Sequence, residues 1–533
     1  MPVSLYRNIK RYILSLLIVT GYGLSLYSQS SISGVVNKYG RVTTVGTDYV
    51  VVSNETQFDQ FAAGDTVLLI QMKGVRIYSY ENGIFGTTES SYGPSGMHEF
   101  LMIESVDDLT NTIVFRNNIV NSTFNIEGQV QIIKVPSFNN ALVTASLTAQ
   151  PWDSISKTGG VLSVIVGNTL TLNANIDVSG KGFIGGSPVI GTGICVQTNE
   201  LRYSKYAFHR DSLNSGFKGE SPVTRGWLAL GNYPLIYPAF AKGKGANFTG
   251  GGGGNGRFSG GGGGSNYGAG GKGGREVTAC SPFPVDGGLG GYQIQTTLLE
   301  GGMFLGGGGG SSTYLTGSAA SAGGNGGGII IIVCDTIKGN TRGIIANGAT
   351  AAAATGSNAG AGGGGGGGTI AIYLRSYSTS NLTVAANGGN GGNNPGTYGE
   401  GGGGGGGLIT ASNITTPTNV TKTVSGGAPG TRSGVVTAGS GSTGQNIATF
   451  VPILNGFLFN SIRSSVTGDQ TDSICSNVVP KAITGTSPVG GSGNYTYLWQ
   501  KSYNLAGAPA NIPSSDVADY TPTSLEPAGN VWF

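Results

Sequence analysis

The hydrophobic positions of this chain fall into short runs bounded by turn-forming residues, and no stretch shows a helical period of useful length. Between residues 29 and 150 the runs are rich in β-branched and aromatic residues, which favour strands. Clusters of Asp and Asn separate the runs, as turns require. The pattern therefore predicts a small all-β N-terminal domain over residues 29–150. Its predicted strands are Tyr49–Ser53, Thr66–Met72, Phe100–Ser105, Thr112–Arg116 and Val130–Val135.

A second pattern repeats farther along the chain. A Gly pair is followed by an apolar run, a polar turn, a second short apolar run and a Gly-rich segment. The Gly pairs begin at residues 159, 327, 367 and, in a shorter copy, 406, and the second runs are Ile176–Val178, Gly343–Ala346 and Leu382–Ala385. Strands that are apolar on both faces are buried only when the copies stack, and such strands usually run parallel. We therefore predict a parallel β-solenoid-like core, or a sandwich-like stack, over residues 151–412.

Glycine composition sets the same region apart, since 60 of the 100 glycines lie between residues 241 and 410. A flexible linker is the simplest use of such chain. Fixing one residue's backbone costs about 1–2 kcal/mol, and Gly loses the most entropy, so order requires dense packing of extended chains. We expect ordered, polyglycine-II-like excursions, because the runs connect strands that must stack and contain little Ser. Residues at their edges that can hold them in place are Phe258, Asn266, Tyr267 and Tyr398.

The two ends of the chain differ from this central region. Residues 1–28 combine a basic start with an apolar run weakened by Gly21 and Gly23, which is typical of a cleaved signal peptide. No later segment is long and apolar enough to cross a bilayer, so we expect an exported protein without a membrane span. Residues 413–470 are interpreted as a linker or capping strands. Residues 471–533 are interpreted as the start of a truncated immunoglobulin-like or PKD-like sandwich.

The composition leaves little material for catalysis. His98 and His209 are the two histidines, and no P-loop or nucleophile-elbow motif occurs. A net charge of +3, with 10% charged residues, gives no electrostatic reason to expect nucleic acid as a partner. We therefore expect no enzyme activity, no cofactor and no metal site.

Cysteine usage leaves the pairing open. Two disulfides are permitted in an exported chain, and unpaired buried cysteines are equally compatible with the spacing. The four residues are Cys195, Cys280, Cys334 and Cys475.

Several segments resemble a known family. They are GDTVLLIQMKG (Gly64–Gly74), HEFLMIESV (His98–Val106), VQIIKVP (Val130–Pro136), the PWD at Pro151–Asp153, the first Gly-pair repeat, and the module that starts at Asp472. Together they resemble the large secreted surface proteins of Bacteroidetes that are often labelled gliding-motility-associated. The resemblance implies export by the general secretion route, then passage through the outer membrane by the type IX machinery. Members usually end in a sorting domain that this machinery reads, and this sequence contains none.

The resemblance and the repeats predict a non-enzymatic, secreted cell-surface adhesin or extracellular scaffold. In it the stack forms a stiff stalk, and loops contact polysaccharide or other cells. The alternative is the non-catalytic part of a secreted polysaccharide-degrading enzyme whose catalytic domain lies beyond residue 533. Ice binding by a flat bundle of Gly chains has a physical basis, but the sequence lacks regular Thr arrays.

Aromatic residues of the longest Gly-rich excursion, which runs from about Gly185 to Gly326 and is called the long excursion below, are the candidate glycan contacts. A flat ring can stack on a sugar, although ordinary packing is the competing explanation for each of these residues. The candidates are Tyr203, Tyr206, Tyr233 and Tyr237.

Overall fold

The computed structural model describes residues 29–447, with gaps at 81–82, 89–92, 121–122, 194, 196–205, 228–233, 237–240, 277–279, 281–285, 296–301 and 413–415, and it also describes residues 500–501 and 510–511. These residues are almost entirely β, so the predicted all-β class is confirmed. The predicted signal peptide, residues 1–28, lies outside the described residues, as does nearly all of the predicted sandwich module, residues 471–533.

The first half of the described chain contains fifteen strands and two short helices. The strands are β1 (Ser30–Val35), β2 (Lys38–Val45), β3 (Tyr49–Val52), β4 (Thr66–Gln71), β5 (Val75–Tyr78), β6 (His98–Asp107), β7 (Thr112–Phe115), β8 (Val130–Lys134), β9 (Ser137–Phe138), β10 (Ala141–Thr148), β11 (Val161–Leu172), β12 (Ile176–Asp177), β13 (Val189–Ile190), β14 (Val223–Trp227) and β15 (Pro234–Ile236). The helices are α1 (Glu55–Phe58) and a 3-10 turn at Ile126–Gly128.

The second half contains eleven further strands. They are β16 (Thr313–Tyr314), β17 (Ile329–Lys338), β18 (Arg342–Ile345), β19 (Thr369–Tyr373), β20 (Ser376–Tyr377), β21 (Leu382–Ala385), β22 (Leu408–Ala411), β23 (Val420–Thr423), β24 (Gln445–Ile447), β25 (Gln500–Lys501) and β26 (Ala510–Asn511).

Six N-terminal strands form a closed antiparallel barrel in the order β2-β3-β7-β6-β4-β8, with β8 pairing back onto β2. All five strands predicted in this region are present, and each differs from its prediction only at the ends. Alternate side chains fill the barrel, among them Val50, Leu69 and Ile103. The side chain of Asn54 caps α1, and this helix places the buried ring of Phe58 in the same core.

The repeat copies pair with one another in parallel, through two successive rows of strands. The first row is β11-β17-β19-β22, and the second row is β12-β18-β21-β23. The residues directly after each Gly pair are β-pairing partners in the first row. Aligning the sequences of the copies at their Gly pairs therefore gives the strand register. These residues are Val161, Ile329, Thr369 and Leu408.

The first-row strands are buried on both faces over the residues that directly follow each Gly pair, which explains why these residues are mostly apolar. One face, with Val164 and Ile332, packs against second-row residues such as Ile344. The other face, with Ile165 and Ile331, packs against side chains on the outside of the barrel. Near the start of the rows, β10 pairs with both β11 and β12, and β1 pairs with β10, so the N-terminal strands are part of the same curled sheet.

The Gly runs between the strands are buried and hydrogen-bonded. Each run donates its backbone N–H groups in turn to three neighbouring chains, with a period of three residues, which is the period of the polyproline II helix. In the run Gly362–Gly368, the N–H groups of Gly364 and Gly367 donate to the carbonyls of Gly402 and Gly405 in one neighbouring chain. Those of Gly363 and Gly366 donate to Gly310 and Gly307 in a second chain, and those of Gly365 and Gly368 donate to Ala349 and Ala346 in a third. All six N···O distances are 2.7–2.9 Å. This network is incompatible with the flexible-linker interpretation.

Only glycine fits inside this bundle. A Cβ added at Gly364 would lie 2.1 Å from the carbonyl oxygen of Gly389, and most glycines of the runs have a backbone oxygen equally close. The expected edge residues do hold the chains in place. The Asn266 side chain donates to the carbonyl of Gly367 at 2.9 Å. The rings of Phe258 and Tyr398 pack edge to face, with centroids 4.9 Å apart.

Gly364→Ala is expected to lower the free energy of unfolding by about 1–3 kcal/mol, because the methyl group displaces a hydrogen-bonded neighbouring chain. Gly83→Ala is the matched control, since Gly83 is exposed and an added Cβ meets nothing within 4 Å. The control should be neutral or slightly stabilising. Urea unfolding of both variants measures the difference, and equal stabilities would contradict close packing of the bundle.

A buried histidine lies in barrel strand β6. His98 is 7% exposed, its Nδ1 lies 3.3 Å from the carbonyl oxygen of Gly96, and its Nε2 has no hydrogen-bond partner among the described residues. Burial disfavours the charged imidazolium and lowers the pKa of His98 to about 4.

This shift predicts a pH-dependent stability. Between pH 6.5 and pH 4 the unfolded chain binds a proton that the folded chain rejects, so stability falls as pH falls through this window, by up to about 3 kcal/mol. The loss is absent above pH 6.5. Urea unfolding at several pH values measures this dependence. Between pH 6.5 and pH 4 the free energy of unfolding should fall less steeply with falling pH in His98→Gln than in the unmodified chain. Equal pH dependence in the two proteins would exclude His98 as the cause.

Candidate functional site

Of the four candidate glycan-binding tyrosines, only Tyr206 lies within the described residues; Tyr203, Tyr233 and Tyr237 lie outside them. The Tyr206 ring is half-buried and stacks on the ring of Phe85, with centroids 5.6 Å apart. The Nζ atom of Lys244 lies 5.0 Å from the Tyr206 ring centroid. Ordinary packing therefore accounts for the contacts of Tyr206, and a glycan contact at this residue stays a prediction.

Lysines and aromatic rings alternate around Tyr206. Lys218 and Lys242 are buried, and their Nζ atoms lie 4.0 Å from the ring centroid of Phe85 and 4.6 Å from that of Phe217. Each ammonium also donates to a backbone carbonyl at 2.5 Å. Ring faces and carbonyls thus replace part of the water that burial removes. Burial nevertheless lowers the pKa of Lys242.

A partly buried carboxylate joins three distant segments. Glu220 accepts from Lys73 Nζ at 2.5 Å, from Trp152 Nε1 at 3.1 Å and from the backbone N–H of Ile184 at 3.1 Å. Lys73 follows the barrel strand β4, and Trp152 precedes β11. Ile184 lies in the first Gly-rich segment, residues 180–187, which leads into the long excursion. The Lys73 and Glu220 side chains are 11% and 16% exposed, so water screens this ion pair only weakly.

Sequence reasoning did not identify Glu220. The residue lies between a Lys-Gly pair and a Ser-Pro pair, in a segment without strand periodicity. Its partners are 36 to 147 residues away in the chain. A lone carboxylate within a glycine-rich excursion is the one signal that the sequence offers.

An open cleft of about 660 Å³ adjoins Glu220. It lies between the barrel, the first Gly-rich segment and the long excursion. Four charged residues line it, two of each sign: Lys73, Lys218, Glu127 and Glu220. Its size is typical of small-molecule sites, which commonly measure about 300–1,000 Å³.

One disulfide, Cys195–Cys280, closes a loop across the long excursion. Cys334 is free and buried in β17, and the apolar surroundings raise the pKa of its thiol. Cys475 lies outside the described residues.

In the part of the chain that the structure describes, no cluster of His, Cys, Asp or Glu is arranged to hold a metal ion. Among the same residues, none of the helices has the length and apolar character needed to cross a membrane.

Comparison of the chain with protein-family models, with curated proteins and with solved structures gives no match. The functional interpretation therefore depends on the sequence and the geometry of the chain itself.

Glu220→Gln is expected to lower the free energy of unfolding by about 3 kcal/mol, because it leaves the Lys73 ammonium buried without its counter-charge. The double variant Lys73→Met/Glu220→Gln removes that charge as well and should regain much of the loss. Urea unfolding of the single and double variants gives the coupling between the two residues. A coupling near zero would show that the ion pair does not contribute to stability.

Proposed function

We propose that this chain is a non-enzymatic, secreted surface adhesin or extracellular scaffold, with a rigid glycine-rich body that presents loops and clefts to its surroundings. The observation that carries the proposal is that each Gly run is hydrogen-bonded to three neighbouring chains. The interior therefore consists of packed backbone and apolar side chains. A body of this kind keeps its shape without a ligand, so binding groups on its surface stay in fixed positions.

The architecture proposed for residues 151–412 is a β-solenoid. The parallel pairing of successive copies supports it, because each copy supplies one strand to each of two rows. The stacking also continues past residue 412, where β23 and β24 pair with β21 and β22. We further propose a PKD-like or immunoglobulin-like module over residues 471–533, in which β25 and β26 form a short antiparallel pair.

Export is proposed together with this function. The Cys195–Cys280 disulfide supports it, since disulfides persist mainly in oxidising compartments outside the cytoplasm. The signal-like residues 1–28 support it as well. The type IX route is proposed from the family resemblance of the sequence.

A binding assay with a turnover measurement tests the proposed function. The fluorescently labelled full chain is incubated with bacterial cells and with polysaccharide-coated beads, and reducing-sugar release is measured in the same samples. We expect saturable retention on cells or beads without sugar release. Retention no greater than that of labelled serum albumin would contradict an adhesive role. Sugar release by the chain would contradict the non-enzymatic role, and reading the gene beyond residue 533 separates an adhesin from an enzyme's binding region.

A further inference from the structure

Two residues in the wall of the cleft have a side-chain amide oxygen without a hydrogen-bond partner among the described residues. Asn247 is 6% exposed, and its Nδ2 donates to the carbonyl of Gly219 at 3.4 Å, but its Oδ1 accepts no bond from the described residues. The buried Oε1 of Gln129, on the barrel side of the same cleft, is unpaired in the same way. An unpaired buried acceptor costs about 1–3 kcal/mol. Two of them in one cleft point to an occupant that donates hydrogen bonds.

The backbone is held by hydrogen bonds at both residues. Asn247 lies in a tight turn closed by two backbone hydrogen bonds with Gly250, of 2.8 and 2.9 Å. Gln129 ends the 3-10 turn with φ of 58°, and its backbone N–H donates to the carbonyl of Ile126. These bonds fix the backbone positions from which the two side chains reach the wall of the cleft.

The cleft also offers an apolar surface beside these acceptors. The half-buried ring of Phe217 lines it, together with Ile184 and Val223. The Lys242 ammonium, 4.6 Å from the Phe217 ring centroid, helps to fix that ring in place. A flat ring next to hydrogen-bond acceptors matches a pyranose, which has an apolar C–H face and a rim of hydroxyl donors.

The charges of the cleft favour a neutral ligand. Its two lysines and two glutamates balance formally, and the Lys73–Glu220 ion pair neutralises two of the four within the wall. A polyanion or polycation therefore gains no net attraction here.

We propose that this cleft binds a neutral oligosaccharide, with Asn247 and Gln129 accepting hydrogen bonds from sugar hydroxyls and Phe217 packing on a sugar ring. The proposal rests on the adhesive function proposed above, and it places the glycan contact in the cleft rather than on the four tyrosines of the excursion.

Calorimetric titration of the full chain tests this site. The neutral probes are cellotetraose, xylotetraose and maltotetraose, and the charged probe is tetragalacturonate. We expect at least one neutral probe to bind with a Kd below about 1 mM, and tetragalacturonate to bind more weakly.

Two conservative variants alter the cleft without changing its charge. Gln129→Asn withdraws the acceptor while keeping a residue type that tolerates positive φ, and it should weaken binding about fivefold. Phe217→Leu removes the flat ring while keeping an apolar side chain, and it should weaken binding about tenfold. Leu109→Ala is the control, because Leu109 is 97% exposed in the β6–β7 turn, and its binding should be unchanged. Thermal unfolding of each variant verifies that it is folded.

Three results would overturn the proposal. One is the absence of neutral-probe binding below about 1 mM while the chain still adheres to cells, which would leave the adhesive function standing without this site. Another is unchanged binding in both cleft variants together with loss of binding in Tyr206→Leu, which would move the site to the excursion. The third is tighter binding of tetragalacturonate than of any neutral probe. Oligosaccharide binding that depends on the cleft, without any adhesion, would support the site and contradict the adhesin.

Discussion

The hydrogen bond between neighbouring glycine main chains is the interaction on which this structure depends. Each such bond contributes only about 1 kcal/mol net, whereas ordering each residue costs about 1–2 kcal/mol, so the bundle does not order itself. The runs are held because the Gly pairs at 327, 367 and 406 lead directly into stacked apolar strands. Strand register thereby sets the register of the glycine chains, and the cooperative unit is the sheet and the bundle together.

The barrel belongs to the same unit because it covers the outer face of the first strand row. The Tyr39 hydroxyl donates to the carbonyl of Val161 at 2.7 Å, and Asn37 exchanges hydrogen bonds with the backbone of Ser163. Without this cover, the outward-facing Ile and Val residues of that row would be exposed to water. The cleft lies where the barrel, the first Gly-rich segment and the excursion meet, so packing against rigid elements fixes its shape.

Local pattern predicted the strands, the repeat copies and their pairing, since a Gly pair before an apolar run is visible in each copy. It did not predict that the barrel closes, because closure depends on pairing of β2 with β8, whose residues are nearly a hundred positions apart. It missed the cleft for the same reason. Gln129 and Asn247 have no motif in common, and topology alone brings them together. Residue type alone points to the four tyrosines, and residue type gives no information about their surroundings.

The three-residue period of the glycine bundle is also visible in the sequence, in the segment NGGNGGN at residues 387–393. A chain with three residues per turn presents every third side chain on one side, so the asparagines lie at the edge and the glycines face inward. Each asparagine side chain accepts a hydrogen bond of 2.8–2.9 Å from the backbone of the next copy, and the acceptor–donor pairs are Asn387–Ser425, Asn390–Ala428 and Asn393–Thr431. The next copy, SGGAPGT at residues 425–431, varies at these edge positions and keeps Gly at three of the four positions between them. Side chains are therefore excluded from chains that have neighbours on all sides. An edge chain of the same geometry can carry a side chain at every third position, and there the side chains form hydrogen bonds that hold the next copy in place.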